Sequence, residues 1–161
     1  MTYCVGLKIN KGLVFMSDTR TNSGIDNIST FQKMHTWSKE GDRVITLLNA
    51  GNLATTQLVI SLLDERSKAP NDRSPSIFEA QSMFQVAQLV GETLREVIET
   101  ASPQGELADS NFTATLILGG QISTGKPSLF LIYPEGNFIE ASTDTPFFQS
   151  GETKYGRPIL V

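Results

Sequence analysis

Thr2-Tyr3-Cys4-Val5-Gly6-Leu7-Lys8-Ile9-Asn10-Lys11-Gly12-Leu13-Val14-Phe15-Met16-Ser17-Asp18 follows Met1 at the head of the chain, and its alternation decides how the rest is read. In an extended strand Tyr3, Val5, Leu7 and Ile9 fall on one side, and Thr2, Cys4, Gly6 and Lys8 on the other. Asn10-Lys11-Gly12 supplies a turn, and Leu13 to Ser17 reads as a second apolar strand. The segment therefore predicts an N-terminal β-hairpin. The polar stretch from Thr19 to Thr30 reads as a loop. Two further strands are predicted at 33–38 and 43–50, joined at Glu40-Gly41-Asp42.

Helical patterning follows. Leu53, Leu58, Leu62 and Leu63 lie at helix-compatible spacings between Asn52 and Lys68, and Pro70-Asn71-Asp72 breaks the run. Ser76 with Glu79 reads as a capping box. It would open a helix of about six turns with the stripe Ile77, Ala80, Phe84, Ala87, Gly91, Leu94 and Ile98. Gly91 in that stripe costs about 1 kcal/mol against alanine, which close approach of another backbone would explain. After a loop from Ala101 to Asp109, strand patterns return at 112–118, 129–133 and 138–141. Pro134-Glu135-Gly136-Asn137 is a tight turn between the last two. Strands, two long helices, then strands predict an α+β layered sandwich with the helices on one outer face. Residues 1–161 show no repeat or linker and read as one domain. One sheet face is left apolar and bare, to be covered by a partner or by further chain.

Composition narrows the function. With 161 residues, 39% hydrophobic and 19% charged, the chain can build its own core. Thirteen basic against seventeen acidic residues give a net charge of −4, which argues against a nucleic-acid platform. No apolar run approaches the ~20 residues needed to span a bilayer, and Met1 to Val5 lacks the features of a signal peptide. A cytoplasmic protein with no membrane partner is expected. A single cysteine excludes an internal disulfide, and a single histidine excludes a site built from several. No metal cluster or cofactor motif is read. Gly120 to Lys126 mimics a phosphate loop, but Pro127 stands where a hydroxyl is needed and a strand follows instead of a helix. Cys4 reads as a small packed residue and His35 as a strand residue facing a pocket or neighbour, with substrate contact as the alternative. Asp64-Glu65-Arg66 reads as a solvated helix end.

Thr2 carries a chemistry of its own. Threonine is small enough for the preceding methionine to be removed, leaving an α-amine with an ordinary pKa of about 7.7–8.0. Nucleophile and base then belong to one residue.

The surrounding motifs give this weight. Asp18-Thr19-Arg20-Thr21-Asn22-Ser23-Gly24 follows the hairpin, Lys33 opens the next long strand, Ala50-Gly51 precedes the first helix, and Ser150-Gly151 follows the final hairpin. In this order, over essentially the whole chain, the sequence resembles the proteasome β-subunit family of N-terminal nucleophile hydrolases. Thr2 to Leu7, Ser29-Thr30-Phe31 before Lys33-Met34, and Glu152-Thr153-Lys154-Tyr155-Gly156 suggest its bacterial Anbu branch. The resemblance implies a four-layer αββα sandwich, here apparently lacking its C-terminal part. Family subunits carry further helices and strands after the Ser-Gly, including an Asp and a Ser that orient the terminal amine. No counterpart is found before Val161. The lysine also stands one position short of the family spacing, and the hairpin around Gly41 is longer than usual.

The resemblance further implies a threonine peptidase, with no cofactor and no metal. Thr2 would be the nucleophile, Lys33 its electrostatic neighbour, Asp18 the partner of Lys33, Gly51 the oxyanion donor, and Ser150 a group near the amine. Thr21, Asn22 and Asn49 would line the substrate channel, with Asn49 disfavouring strongly charged side chains. Peptide or unfolded protein would be the substrate, and the chain would join a homo-oligomeric ring or helical stack through its long helices, Gly91 and the Phe84 stripe. An ATPase or accessory partner stays open. So do an amidase acting on small amides and a scaffold subunit with a degenerate site.

Overall fold

The computed structural model describes residues 2–22, 28–68, 76–101, 112–152, 154 and 157–160. The N-terminal hairpin forms as predicted: β1 (Tyr3–Ile9) pairs antiparallel with β2 (Gly12–Ser17), from Cys4 opposite Ser17 to Ile9 opposite Gly12. The stretch read as a loop holds a small ribbon instead, β3 (Arg20–Asn22) against β4 (Ile28–Thr30). These strands are short and polar, so no alternation betrays them, and their pairing rests on backbone hydrogen bonds.

The main sheet has five antiparallel strands in sequence order: β5 (Met34–Lys39), β6 (Arg43–Gly51), β7 (Ala114–Ile122), β8 (Ser128–Ile132) and β9 (Phe138–Glu140). The last strand, β10 (Phe147–Gly151), returns to the free side of β1, giving the order β10-β1-β2. Helices α1 (Leu53–Lys68) and α2 (Met83–Ala101) cover the main sheet. The short α3 (Arg157–Leu160) follows β10.

Two cores result. Leu48, Ala50, Ile117 and Leu129 join Cys4 and Phe148 between the two sheets. On the other side of the main sheet, Ile45, Leu47, Leu116, Leu118, Phe130 and Ile132 pack with Val59 and Leu63 of α1 and Val86, Val90, Leu94 and Val97 of α2. β6 is buried on both faces from Ile45 to Ala50, so apolar residues fill most of that stretch, with Thr46 and Asn49 as its buried polar members. The described residues thus make three layers: helices, main sheet, smaller sheet. Beyond the smaller sheet Ile9, Val14 and Met16 are exposed, the bare apolar face the sequence predicts. No described helix is long and apolar enough to cross a membrane.

The second helix starts later than expected. Ser82, not Ser76, caps it: Gln85 N–H donates to Ser82 Oγ at 3.2 Å, and Gln81 N–H donates to Gln85 Oε1 at 2.8 Å. Ser76 closes only a turn, because the carbonyls of Ile77 and Ala80 accept from Arg43 Nη1 at 2.7 and 2.8 Å. Those carbonyls are taken from any helix ladder. Ile77 and Ala80 are core residues outside the helix, and Phe84 is 59% exposed, edge-on to Phe138 at 5.5 Å. Met83, Val86, Ala87, Val90, Gly91 and Leu94 form the buried face.

Gly91 meets a backbone, as its place in the stripe requires: a Cβ there would stand 2.2 Å from the carbonyl oxygen of Gly136 in the β8–β9 turn. This contact lies within the chain, so Gly91 is not free to serve a subunit contact. The solvated helix end is also corrected. Asp64 accepts Trp37 Nε1 at 2.7 Å, and Arg66 reaches Thr93 Oγ1 at 2.6 Å and Glu96 at 3.1 Å. The segment therefore ties α1 to β5 and α2. The breaker at Pro70-Asn71-Asp72 and the loop after Ala101 lie outside the described residues.

Candidate active site

Thr2 stands at the head of β1, between the end of β2 and the end of β10. The peptide group that follows it is held from both sides. Its carbonyl accepts Glu152 N–H at 2.6 Å, and the Tyr3 N–H donates to Asp18 Oδ1 at 2.8 Å. Asp18 N–H returns to the Tyr3 carbonyl at 3.1 Å. Gly151 makes the first contact possible. Its φ is +93°, and a Cβ there would lie 2.0 Å from the Thr2 carbonyl oxygen. Ser150 sits opposite Cys4 in the same pairing.

Lys33 precedes β5 and is 3% exposed. Its ammonium donates to Asp18 Oδ1 at 2.9 Å, to Asp18 Oδ2 at 2.8 Å, and to the carbonyl of Arg20. Three contacts match the three protons of an ammonium group, so the buried cation is satisfied. Arg20 N–H also donates to Asp18 Oδ2 at 3.0 Å, so Arg20 serves the site through its backbone. Asn49 then fixes the lysine from β6: its N–H and Nδ2 donate to the Lys33 carbonyl at 2.9 and 3.2 Å.

These contacts set the charges. Burial pulls the Asp18 carboxyl upward, but hydrogen bonds from Lys33, Tyr3 and Arg20 and the lysine's charge win, holding it below the usual carboxylate range. The neighbouring Cys4 thiol, fully buried with Sγ donating to the Asn49 carbonyl at 3.4 Å, is pushed up to about 12. Burial is the main cause and the Asp18 charge adds to it, against Lys33. A thiol so placed stays protonated at neutral pH and offers no rival nucleophile.

Gly51 ends β6 with φ +123°, where a Cβ would lie 2.6 Å from the Thr113 carbonyl oxygen. Asn52 follows as the cap of α1, its Oδ1 accepting Thr55 N–H at 3.0 Å. Beside Asn49 a cleft of about 330 Å³ opens between β5 and α1, lined by Phe31, His35, Leu53, Gln57 and Ile60 among others.

The fold thus gathers Thr2, Asp18, Lys33 and Ser150 at one end of β1, with Asn49 behind the lysine and Gly51 two residues farther along β6. Thr21 and Asn22 pair with Ser29 and Ile28 through their backbones; their side chains lie outside the described residues. The cleft's composition was not read from the sequence, because its lining comes from two elements whose contact leaves no local pattern. Of its lining residues, the sequence points to His35, as a strand residue facing a pocket or neighbour, and to Asn49, through the family resemblance.

Comparison with known proteins places this arrangement. Neither a protein-family model nor a curated protein matches the chain. Solved structures do. Anbu (ancestral beta-subunit) from Yersinia bercovieri is 48% identical with a TM-score of 0.89, over 98% of this chain and 64% of that one. Anbu from Hyphomicrobium sp. strain MC1 is 48% identical with a TM-score of 0.86, over 98% and 64%. The helical assembly of the Anbu complex from Pseudomonas aeruginosa contains a chain 45% identical with a TM-score of 0.87, again over 98% and 64%. The chain therefore spans about 64% of the length of these relatives.

Proposed function

Since this chain is a relative of the Anbu proteins, within the proteasome-like group, along nearly its whole length, we propose that it is a threonine-type peptidase subunit working in a homo-oligomer. Removal of Met1 bares the Thr2 amine. Thr2 Oγ attacks a peptide carbonyl while that amine, directly or through a water, takes the hydroxyl proton. The tetrahedral oxyanion forms near the Gly51 amide, whose donation in such a role is worth about 3–4 kcal/mol of barrier. Collapse breaks the C–N bond, the proton passes to the leaving amine, and an ester remains on Thr2. Water then attacks the ester and restores the hydroxyl.

Lys33 acts through its charge rather than by giving up a proton. Its three protons are held by Asp18 and the Arg20 carbonyl, and its positive field favours a neutral Thr2 amine. Asp18 keeps that ammonium in place. Ser150 stands near the amine. An extended peptide lies along the β3 backbone at Thr21 and Asn22, with one side chain entering the cleft beside Asn49. A further helical layer over Ile9, Val14 and Met16 would complete a four-layer sandwich. Assembly in a helical stack follows the relative from Pseudomonas aeruginosa, whose complex is described as helical.

The observation that carries the reading is the chain of contacts from Thr2's own peptide group through Asp18 to the buried Lys33 ammonium. The test is hydrolysis of a fluorogenic peptide panel, beside acylated small amides, by the chain and by Thr2→Ala. Peptide turnover that disappears in the variant is the expected result. Preference for the small amides would make the chain an amidase. Turnover that survives in Thr2→Ala would remove the nucleophile.

A further inference from the structure

The cleft beside Asn49 has a chemistry that follows from its walls. At about 330 Å³ it is roughly twice the ~150 Å³ that accepts a benzene ring, so a long side chain fits. Phe31, Leu53 and Ile60 supply apolar surface, and Gln32, Asn49, Thr56, Gln57 and Ser61 supply uncharged hydrogen-bonding groups. None of these carries a charge. Among the described residues, His35 is the one lining side chain that can acquire a charge near neutral pH.

The ring of His35 is held in place. Trp37, two residues along β5, stacks on it with centroids 6.4 Å apart and planes inclined by 26°. Trp37 is itself fixed by Asp64 of α1 at 2.7 Å. The charged surroundings are sparse. Asp64 acts on the ring from α1, Lys33 at the head of β5 is engaged with Asp18, and β6 presents Leu47 opposite. The Phe31–Gln32 segment is neutral and contributes a backbone hydrogen bond. Burial outweighs that bond and Asp64, lowering the imidazole's pKa from its usual value, so the neutral ring predominates at pH 7.

We propose that His35 makes this cleft a pH-dependent selector of the substrate side chain, taking uncharged hydrogen-bonding side chains such as glutamine at neutral pH and glutamate once the ring is protonated. Peptide as the ligand class rests on the peptidase reading; the selection itself rests on the cleft. A carboxylate entering at neutral pH finds uncharged partners among the described lining residues and sheds its hydration for little return. Facing an imidazolium it gains a charge-assisted hydrogen bond. The preference for glutamate over glutamine should rise about tenfold between pH 8 and pH 5, the difference between a charged and a neutral hydrogen bond.

The chain has one histidine, so the untagged protein gives one imidazole signal by NMR. Peptides ending in glutamate or glutamine are titrated against it from pH 5 to 8. Both should move the His35 signal, and the glutamate peptide alone should raise its titration midpoint and bind more tightly in acid. His35→Gln should flatten the pH dependence of the glutamate-to-glutamine affinity ratio. A His35 signal that ignores both peptides, or an equal midpoint change with each, overturns the inference. Expected NMR shifts without any peptide hydrolysis would sink the peptidase reading and leave the selector standing. Hydrolysis with a silent imidazole would do the reverse.

Discussion

Replacing Lys33 with methionine keeps the apolar stem and removes only the ammonium. In the structure that ammonium lies 2.8 Å from Asp18 Oδ2, with side-chain exposures of 4% and 32%. At an effective dielectric constant near 20 the gross attraction is roughly 6 kcal/mol, most of it spent on desolvating the two groups. Breaking a fully buried pair typically costs about 3–5 kcal/mol. Asp18 is partly wet and keeps the Tyr3 and Arg20 amides, so the cost here should be about 2–3 kcal/mol. For a domain of this size that lowers Tm by about 5–10 °C. Asp18→Asn strands the lysine instead, at a similar cost. The double variant, with no unpaired charge left inside, should be more stable than the summed singles by at least about 1.5 kcal/mol. The assay is a thermal and urea double-mutant cycle, with peptide turnover measured on each folded variant. Single variants within about 0.5 kcal/mol of the parent, or strictly additive effects, would refute the reasoning that this pair is a desolvated anchor beside Thr2.

Three further outcomes follow. Gly91→Ala gains about 1 kcal/mol of helix propensity but drives a methyl group to 2.2 Å from the Gly136 carbonyl oxygen; net destabilisation of about 1–2 kcal/mol is expected by urea unfolding, given the usual range for overpacking. Ser82→Ala should cost about 1 kcal/mol as the loss of a true helix cap, and amide exchange should speed up in the first turn of α2. The Cys4 thiol, pushed up to about 12, should resist alkylation at pH 8 in the folded chain and react fully in denaturant, as intact mass would show.

How far the sequence could be read depended on the range of the interaction. The first hairpin was plain because its signals are local: the apolar alternation of Tyr3–Ile9, the Asn10-Lys11-Gly12 turn and the apolar run from Leu13 to Met16. Gly91 was legible as a close approach because glycine is costly in an apolar helical stripe, although only the fold names Gly136 as its neighbour. The start of α2 was misplaced because Ser76 and Ser82 carry the same local signal. What separates them is Arg43, far away in sequence, which captures the carbonyls of Ile77 and Ala80. Trp37 and Asp64 meet in the same nonlocal way, so a charged helix end looked merely solvated. Asp18 and Lys33 were paired through the family pattern; no local periodicity links them. Thr2 was legible as a candidate nucleophile from its place behind Met1, whereas the roles of Gly51, Ser150, Thr21 and Asn22 come from the resemblance.

The central claim is that the side chain and bared nitrogen of Thr2 act together, and a peptide epoxyketone tests both at once because it closes a ring on a hydroxyl and an amine of neighbouring carbons. The measurement is intact mass with fragment mapping after exposure of the chain to that reagent. The account predicts loss of Met1 and one adduct confined to Thr2, absent from Thr2→Ala and weakened in Lys33→Met. A chain that retains Met1, or that carries the adduct elsewhere, would contradict it.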